Sequence, residues 1–141
     1  MGTPSKPDGS VDLSQVKSAV RDVGKALSKK RKYHLVVIRS TVPPGTTGKL
    51  VKSILESESR GVAGKDFGLC FNPEFLREGK AIEDTFNPDR LVIGAIDRRS
   101  GEALLELYQA FYGDQMPPIV LTNPINAELI KYANNAFLAM K

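Results

Sequence analysis

Glu74 and Glu78, four residues apart with Arg77 beside them, are the side chains whose types and spacing point most directly to chemistry. They lie in Asn72-Pro73-Glu74-Phe75-Leu76-Arg77-Glu78-Gly79, just after the apolar run Phe67 to Phe71. Proline has no amide hydrogen and restrains the residue before it, so Asn72-Pro73 ends that run. If Pro73 opens a helical turn, both glutamates share one face and two carboxylates look into one site, with Gly79 letting the backbone turn away. On spacing alone, a Glu/Arg/Glu pattern also describes the solvated face of a short surface helix.

A second set is Lys131 and Asn135, four apart near the end of the sequence: a cation and an amide on one arc of an amphipathic helix. A third is Ser40-Thr41-Val42-Pro43-Pro44-Gly45, hydroxyls directly after an apolar strand and before a proline turn. Each has a plain reading as well: solvated polar residues in the one case, hydroxyls serving local backbone groups in the other.

The elements that must position these groups follow from periodicity. A turn-rich opening, Gly2 to Gly9, precedes a helix with Asp12 as cap and Leu13, Val16, Val20, Val23 and Leu27 at helical spacing. His34 to Ile38 reads as a strand buried on both faces, and Thr46 or Thr47 can cap a helix with the stripe Leu50, Val51, Ile54 and Leu55. The strand holding Cys70 comes next. Leu91 to Gly94 is a further strand, followed by a helix capped near Ser100 that buries Leu104, Leu105, Tyr108 and Phe111. Ile119 to Leu121 is the last strand. The last helix starts at Asn123 or Asn126, with Leu129, Ile130, Ala133, Phe137 and Met140 on one arc and Lys131 and Asn135 on the other. Alternating strands and helices predict an α/β fold with a doubly wound, mostly parallel sheet, in which ligands bind at the carboxyl ends of strands. Thr41 and Glu74 both fall there.

Composition narrows the class. The 141 residues are 41% hydrophobic and 26% charged, the balance of one globular domain rather than a disordered chain. The net charge of +4 is scattered, and its one cluster, Lys29-Lys30-Arg31-Lys32, sits where a helix ends and complements the helix dipole; this argues against nucleic acid as a partner. Cys70 is the single cysteine, so no internal disulfide forms and a reducing cytoplasm is the simplest compartment. His34 has no cysteine or histidine at ligand spacing, which argues against a metal. No apolar run approaches the ~20 residues that span a bilayer, so no membrane role is expected.

Taken together, Asn72 to Gly79 with Pro88-Asp89-Arg90-Leu91-Val92-Ile93-Gly94 resembles the central signature of the UDP-glucose 6-dehydrogenase family. Ala127-Glu128-Leu129-Ile130-Lys131-Tyr132-Ala133-Asn134-Asn135 resembles the segment in which that family presents a lysine and an asparagine to substrate. Ser40 to Gly45 and Gly2-Thr3-Pro4 resemble two of its strand-end turns. The motifs stand in family order from Gly2 to Lys141.

The resemblance implies an oxidoreductase that uses two NAD molecules to take a nucleotide sugar's primary alcohol to a carboxylate, UDP-glucose to UDP-glucuronate, through a thioester on an essential cysteine. By resemblance, Glu74 positions or activates the hydrolytic water with Thr41 holding it, and Lys131 and Asn135 stabilise the oxyanion, since an acyl intermediate needs a placed water and a donor where charge develops. Thr3, Thr41 and Glu78 are implied to meet the cofactor. The backbone at Phe75 and Leu76 would meet the sugar alongside Glu74, Lys131 and Asn135. Pro88-Asp89-Arg90 resembles the UDP-glucose branch more than the GDP-mannose branch. The Glu74 loop does not resemble enzymes for N-acetylated sugars. A homodimer or higher homo-oligomer is implied for the parent protein.

The family's Gly-x-Gly-x-x-Gly turn does not occur in this sequence, nor does its glycine-rich cysteine segment; Cys70 reads as a small buried hydrophobe. The chain is therefore expected to be an interior piece. Residues 1–122 would form the second half of a Rossmann-like NAD-binding domain, and 123–141 the start of a central linking helix. Such a piece is expected to be inactive alone and to expose a sheet edge that favours self-association. A GDP-mannose dehydrogenase, a non-catalytic nucleotide-sugar binding module and a structural domain with idle polar motifs are the alternatives.

Overall fold

The structure, a computed structural model, describes residues 2–141; Met1, the first residue of the expected 1–122 unit, lies outside them. The elements alternate as the periodicity predicts. Helix α1 (Ser14–Leu27) leads to strand β1 (Leu35–Ile38), then a π-helical turn (Thr46–Val51) that runs directly into α2 (Lys52–Ser59), then β2 (Gly68–Phe71). Next come α3 (Ala81–Phe86), β3 (Leu91–Ala95), α4 (Arg98–Tyr112), a short 3-10 turn (Gly113–Gln115), β4 (Ile119–Thr122) and α5 (Pro124–Met140).

One sheet of order β1-β2-β3-β4 carries them, with β1 parallel to β2 and β3 parallel to β4. The sheet is mostly parallel, as expected of this α/β class. The middle pair is antiparallel and short, matching Cys70 to Ala95 and Phe71 to Gly94. The chain after β2 thus turns back on itself instead of crossing over, and the start of β3 comes to the end of β2 where Glu74 follows.

The core lies on both faces. Val16 and Val20 of α1, Leu55 of α2 and Leu69 and Phe71 of β2 pack on one side, while Cys70, Ile93 and Leu104 pack on the other. Strands buried on two faces need continuous apolar runs, which is why β2 and β3 carry them.

Several local expectations are corrected. No helical turn opens at Pro73; residues 72–77 take no regular secondary structure, a turn falls at Glu78-Gly79, and α3 begins only at Ala81, so Glu74 and Glu78 share no helical face. Neither Thr46 nor Thr47 caps its helix: the Thr46 hydroxyl donates to the Pro43 carbonyl, the Thr47 hydroxyl is buried and unpartnered among the described residues, and Gly45 takes the cap position at φ +91°. A left-handed φ there needs glycine. Helix α4 is capped by Asp97, whose carboxylate accepts from the Ser100 amide and hydroxyl, one turn earlier than expected. Phe111 is exposed there and stacks on Phe86.

Candidate active site

Two loops and one helix build the site. The segment after β1, residues 39–45, and the segment after β2, residues 72–77, stand at the carboxyl ends of two parallel strands, where this class of sheet gathers its ligands. Helix α5 crosses both. Its N-terminus is capped by the Asn123 side chain, which accepts from the Asn126 amide, with Pro124 in the first turn.

Helix α5 seats closely because β3 has glycine beneath it. A Cβ on Gly94 would stand 2.6 Å from the Ala127 Cβ and 2.9 Å from the Asn123 carbonyl oxygen. That seat decides which face of α5 is buried. Ala127, Glu128 and Lys131 point inward, whereas Leu129 and Phe137 are 55% and 63% exposed. The arc that carries most of the helix's apolar residues therefore faces outward, although Ile130 packs against the core.

Lys131 reaches the loop after β2. Its Nζ donates to the Glu74 carbonyl oxygen at 2.7 Å, lies 3.5 Å from Glu74 Oε1, and stands 5.3 Å from the centre of the Phe75 ring. The guanidinium of Arg90, at the start of β3, lies over the same ring at 4.5 Å and donates to Asn134 Oδ1 of α5 at 3.0 Å. Two cations thus hold one aromatic ring, a favourable placement on its negative face. The Leu76 amide closes the turn by donating to Glu74 Oε2 at 2.7 Å.

Arg77 does not join Glu74. It turns to Asp84 of α3, donating to it from both its backbone amide and its guanidinium. The hydrogen bonds from the Arg77 side chain and backbone pull the Asp84 carboxyl down to about 2. Between this loop, the start of β3 and α4 opens a cleft of about 510 Å³, edged by Glu74, Phe75, Leu76, Arg90, Tyr108 and Tyr112. Two of its lining residues are tied to the buried Asn72: the Tyr108 hydroxyl and Arg39 both donate to Asn72 Oδ1, and Asn72 Nδ2 donates to the Val92 carbonyl.

The other strand end carries a second pair. The Thr3 hydroxyl donates to the Thr41 carbonyl at 2.9 Å across 38 residues of sequence. Of the residues singled out from sequence, the structure gathers Glu74, Phe75, Leu76 and Lys131 in one group and Thr3 with Thr41 in another. Glu78 and Asn135 are exposed and belong to neither. Arg90, Asn134 and Glu128 were missed as site residues. All three lie inside the quoted motifs, and Glu128 shares a helical face with Lys131 at three-residue spacing, the one signal that could have drawn it out.

Cys70 is buried in β2, and burial, helped by the negative charge of Asp97, pushes its thiol up to about 12. Its Sγ contacts the Ser100 carbonyl at 3.3 Å. It is a packed side chain and not a nucleophile. Among the described residues no helix is long and apolar enough to cross a membrane, and no group of His, Cys, Asp or Glu is placed to hold a metal.

Residues 1–112 match the model of the UDP-glucose/GDP-mannose dehydrogenase family, NAD binding domain. A UDP-glucose 6-dehydrogenase from Haloferax volcanii is 44% identical over 140 residues, which is 99% of this chain and 33% of that protein. A UDP-glucose dehydrogenase structure from Pyrobaculum islandicum superposes with a TM-score of 0.90 at 50% identity, and a ternary complex of GDP-mannose dehydrogenase from Pseudomonas aeruginosa with 0.92 at 41%. Each structure is matched over 99% of this chain and 31% of its own. The chain spans about a third of the length of the curated relatives it matches.

Proposed function

This chain belongs to the UDP-glucose/GDP-mannose dehydrogenase family, and from that premise we propose that it is part of an NAD-dependent UDP-glucose 6-dehydrogenase. In this reading residues 1–122 are the second half of the NAD-binding domain and 123–141 begin the helix that links it onward. The observation that carries the reading is the Lys131 ammonium held 2.7 Å from the Glu74 carbonyl and beside its carboxylate at a strand end.

The reaction oxidises the sugar's primary alcohol to a carboxylate. NAD supplies the hydride acceptor, twice; one water supplies the added oxygen, and two NADH and three protons leave with the product. Thr3, Thr41 and Glu78 would hold the cofactor, and the Thr3 hydroxyl with the Thr41 carbonyl offers the small polar groups that suit a dinucleotide at a strand end. Glu74 would orient the water with Thr41. Lys131 and Asn135 would stabilise the oxyanion, and the Phe75 and Leu76 backbone would meet the sugar.

The acyl-accepting thiolate is not Cys70, the one cysteine of the sequence, which is buried with its thiol pushed up to about 12. The 141-residue chain by itself therefore does not turn over. The exposed apolar side of α5 fits a homodimer or higher homo-oligomer, and a lone buried thiol fits a reducing cytoplasm.

The test is NAD reduction, followed at 340 nm, by the full-length dehydrogenase carrying this segment, with UDP-glucose and GDP-mannose compared at equal concentration. Faster NADH formation from UDP-glucose supports the reading. Preference for GDP-mannose would establish the second reading, favoured by the likeness to the Pseudomonas aeruginosa structure. Absence of NADH with either sugar would overturn both.

A further inference from the structure

Glu128 lies on the same face of α5 as Lys131, three residues before it, and is fully buried. A carboxylate removed from water needs partners, yet no cation pairs with it among the described residues. It accepts instead from two backbone amides of another element, Gly45 N–H at 2.5 Å and Thr47 N–H at 2.7 Å. These amides open the continuous helical run Thr46 to Ser59, whose N-terminal end carries unpaired donors and a positive dipole. The left-handed φ at Gly45 permits the approach, and the run's own threonine hydroxyls take no part in it.

One face of one helix thus binds both strand ends. Glu128 fastens the segment that leaves Thr41, and Lys131 fastens the segment that holds Glu74. We propose that Glu128 is a positioning residue that fixes the Thr41 segment against Lys131 and Glu74 for the reaction. This rests on the functional reading above.

Two measurements test it. The first needs no turnover: in the isotopically labelled 141-residue chain, the Gly45 and Thr47 amide protons exchange slowly, and in Glu128→Gln both exchange faster, since a carboxamide presents one acceptor and one donor to two donors. The second is a split of steady-state constants in the full-length dehydrogenase. In Glu128→Gln, kcat falls about 100-fold while KM for the nucleotide sugar stays within about twofold, because misplacement of catalytic groups costs rate more than binding. Circular dichroism of the variant establishes that it is folded. Fast exchange of both amides in the wild-type chain overturns the clamp even where a variant fails to fold. An unchanged kcat in a variant whose amides have been released overturns the positioning role alone. A wild-type enzyme that reduces no NAD with any nucleotide sugar overturns the positioning role together with the functional reading, while the amide exchange still reports on the clamp.

Discussion

The Lys131 ammonium and the Glu74 carbonyl oxygen, 57 positions apart in sequence, stand 2.7 Å apart and join helix α5 to the loop after β2. Lys131→Met removes the donor without removing the stem. Turnover of the parent enzyme should fall about 100- to 1000-fold, the range for loss of one oxyanion donor. The stability of the 141-residue chain should fall by no more than ~3 kcal/mol, the upper end for a hydrogen bond to a charged group. Steady-state kinetics and urea unfolding check the two halves.

Gly94 should tolerate no side chain. A Cβ there meets backbone as well as the Ala127 methyl at under 3 Å, so Gly94→Val must lift α5 off β3. Overpacking of this kind costs about 1–3 kcal/mol, and a lysine displaced with the helix should lose its hold on Glu74. Thermal unfolding would register the first effect and the chemical shift of the Leu76 amide the second.

The pairing of Arg77 with Asp84 makes stability pH-dependent on the acid side. The folded Asp84 carboxyl is drawn down to about 2 by its Arg77 hydrogen bonds, while an unfolded aspartate titrates near ~3.9. A depressed folded pKa means that the contribution is complete above the unfolded value and is lost as pH falls through the folded one. Asp84→Asn should therefore flatten the stability profile between pH 4 and 2, and the two proteins should converge at the acid end. Parallel profiles would sink the assignment.

Cys70 should be inert while the chain is folded. With its thiol pushed up to about 12 and its sulfur against the Ser100 carbonyl, reaction with a disulfide reagent at pH 8 should follow global unfolding. Labelling as fast in buffer as in denaturant would contradict the packing.

Self-association should appear at high concentration. Among the described residues β1 and β4 each have one strand neighbour, and β4 exposes Leu121 while α5 exposes Phe137 and Met140. Unpaired edges and apolar faces recruit copies of themselves. Light scattering that stays at monomer mass at millimolar concentration would refute this.

Periodicity revealed the alternation of helices and strands because apolar spacing is a local property, and strands β2 and β3 announce themselves by runs that only two-sided burial requires. The local conformation after Pro73 was not legible. Proline permits a helical turn or an irregular path, and along the irregular one taken here Arg77 reaches Asp84 seven residues on. The buried face of α5 was equally hidden: its outward arc is the more apolar, and the close seat of Ala127 on Gly94, with the backbone partners of Glu128 and Lys131, goes with the inward turn of those two residues. Thr46 and Thr47 had the chemistry of caps, but a carboxylate 81 residues away took the amide that matters. Long-range partners of polar groups leave no period in a sequence.

The antiparallel step between β2 and β3 also bears on how such a site can be remodelled. Phe71 faces Gly94 in the last pair of that ladder, and Phe75 and Arg90, four residues beyond it on either side and outside both strands, are found in contact. Their meeting follows the direction that the antiparallel pair sets. Segments between Leu76 and Asp89 can be lengthened or shortened and leave that pair opposed. A single residue inserted between Phe71 and Phe75 instead displaces the ring from its place beneath Arg90.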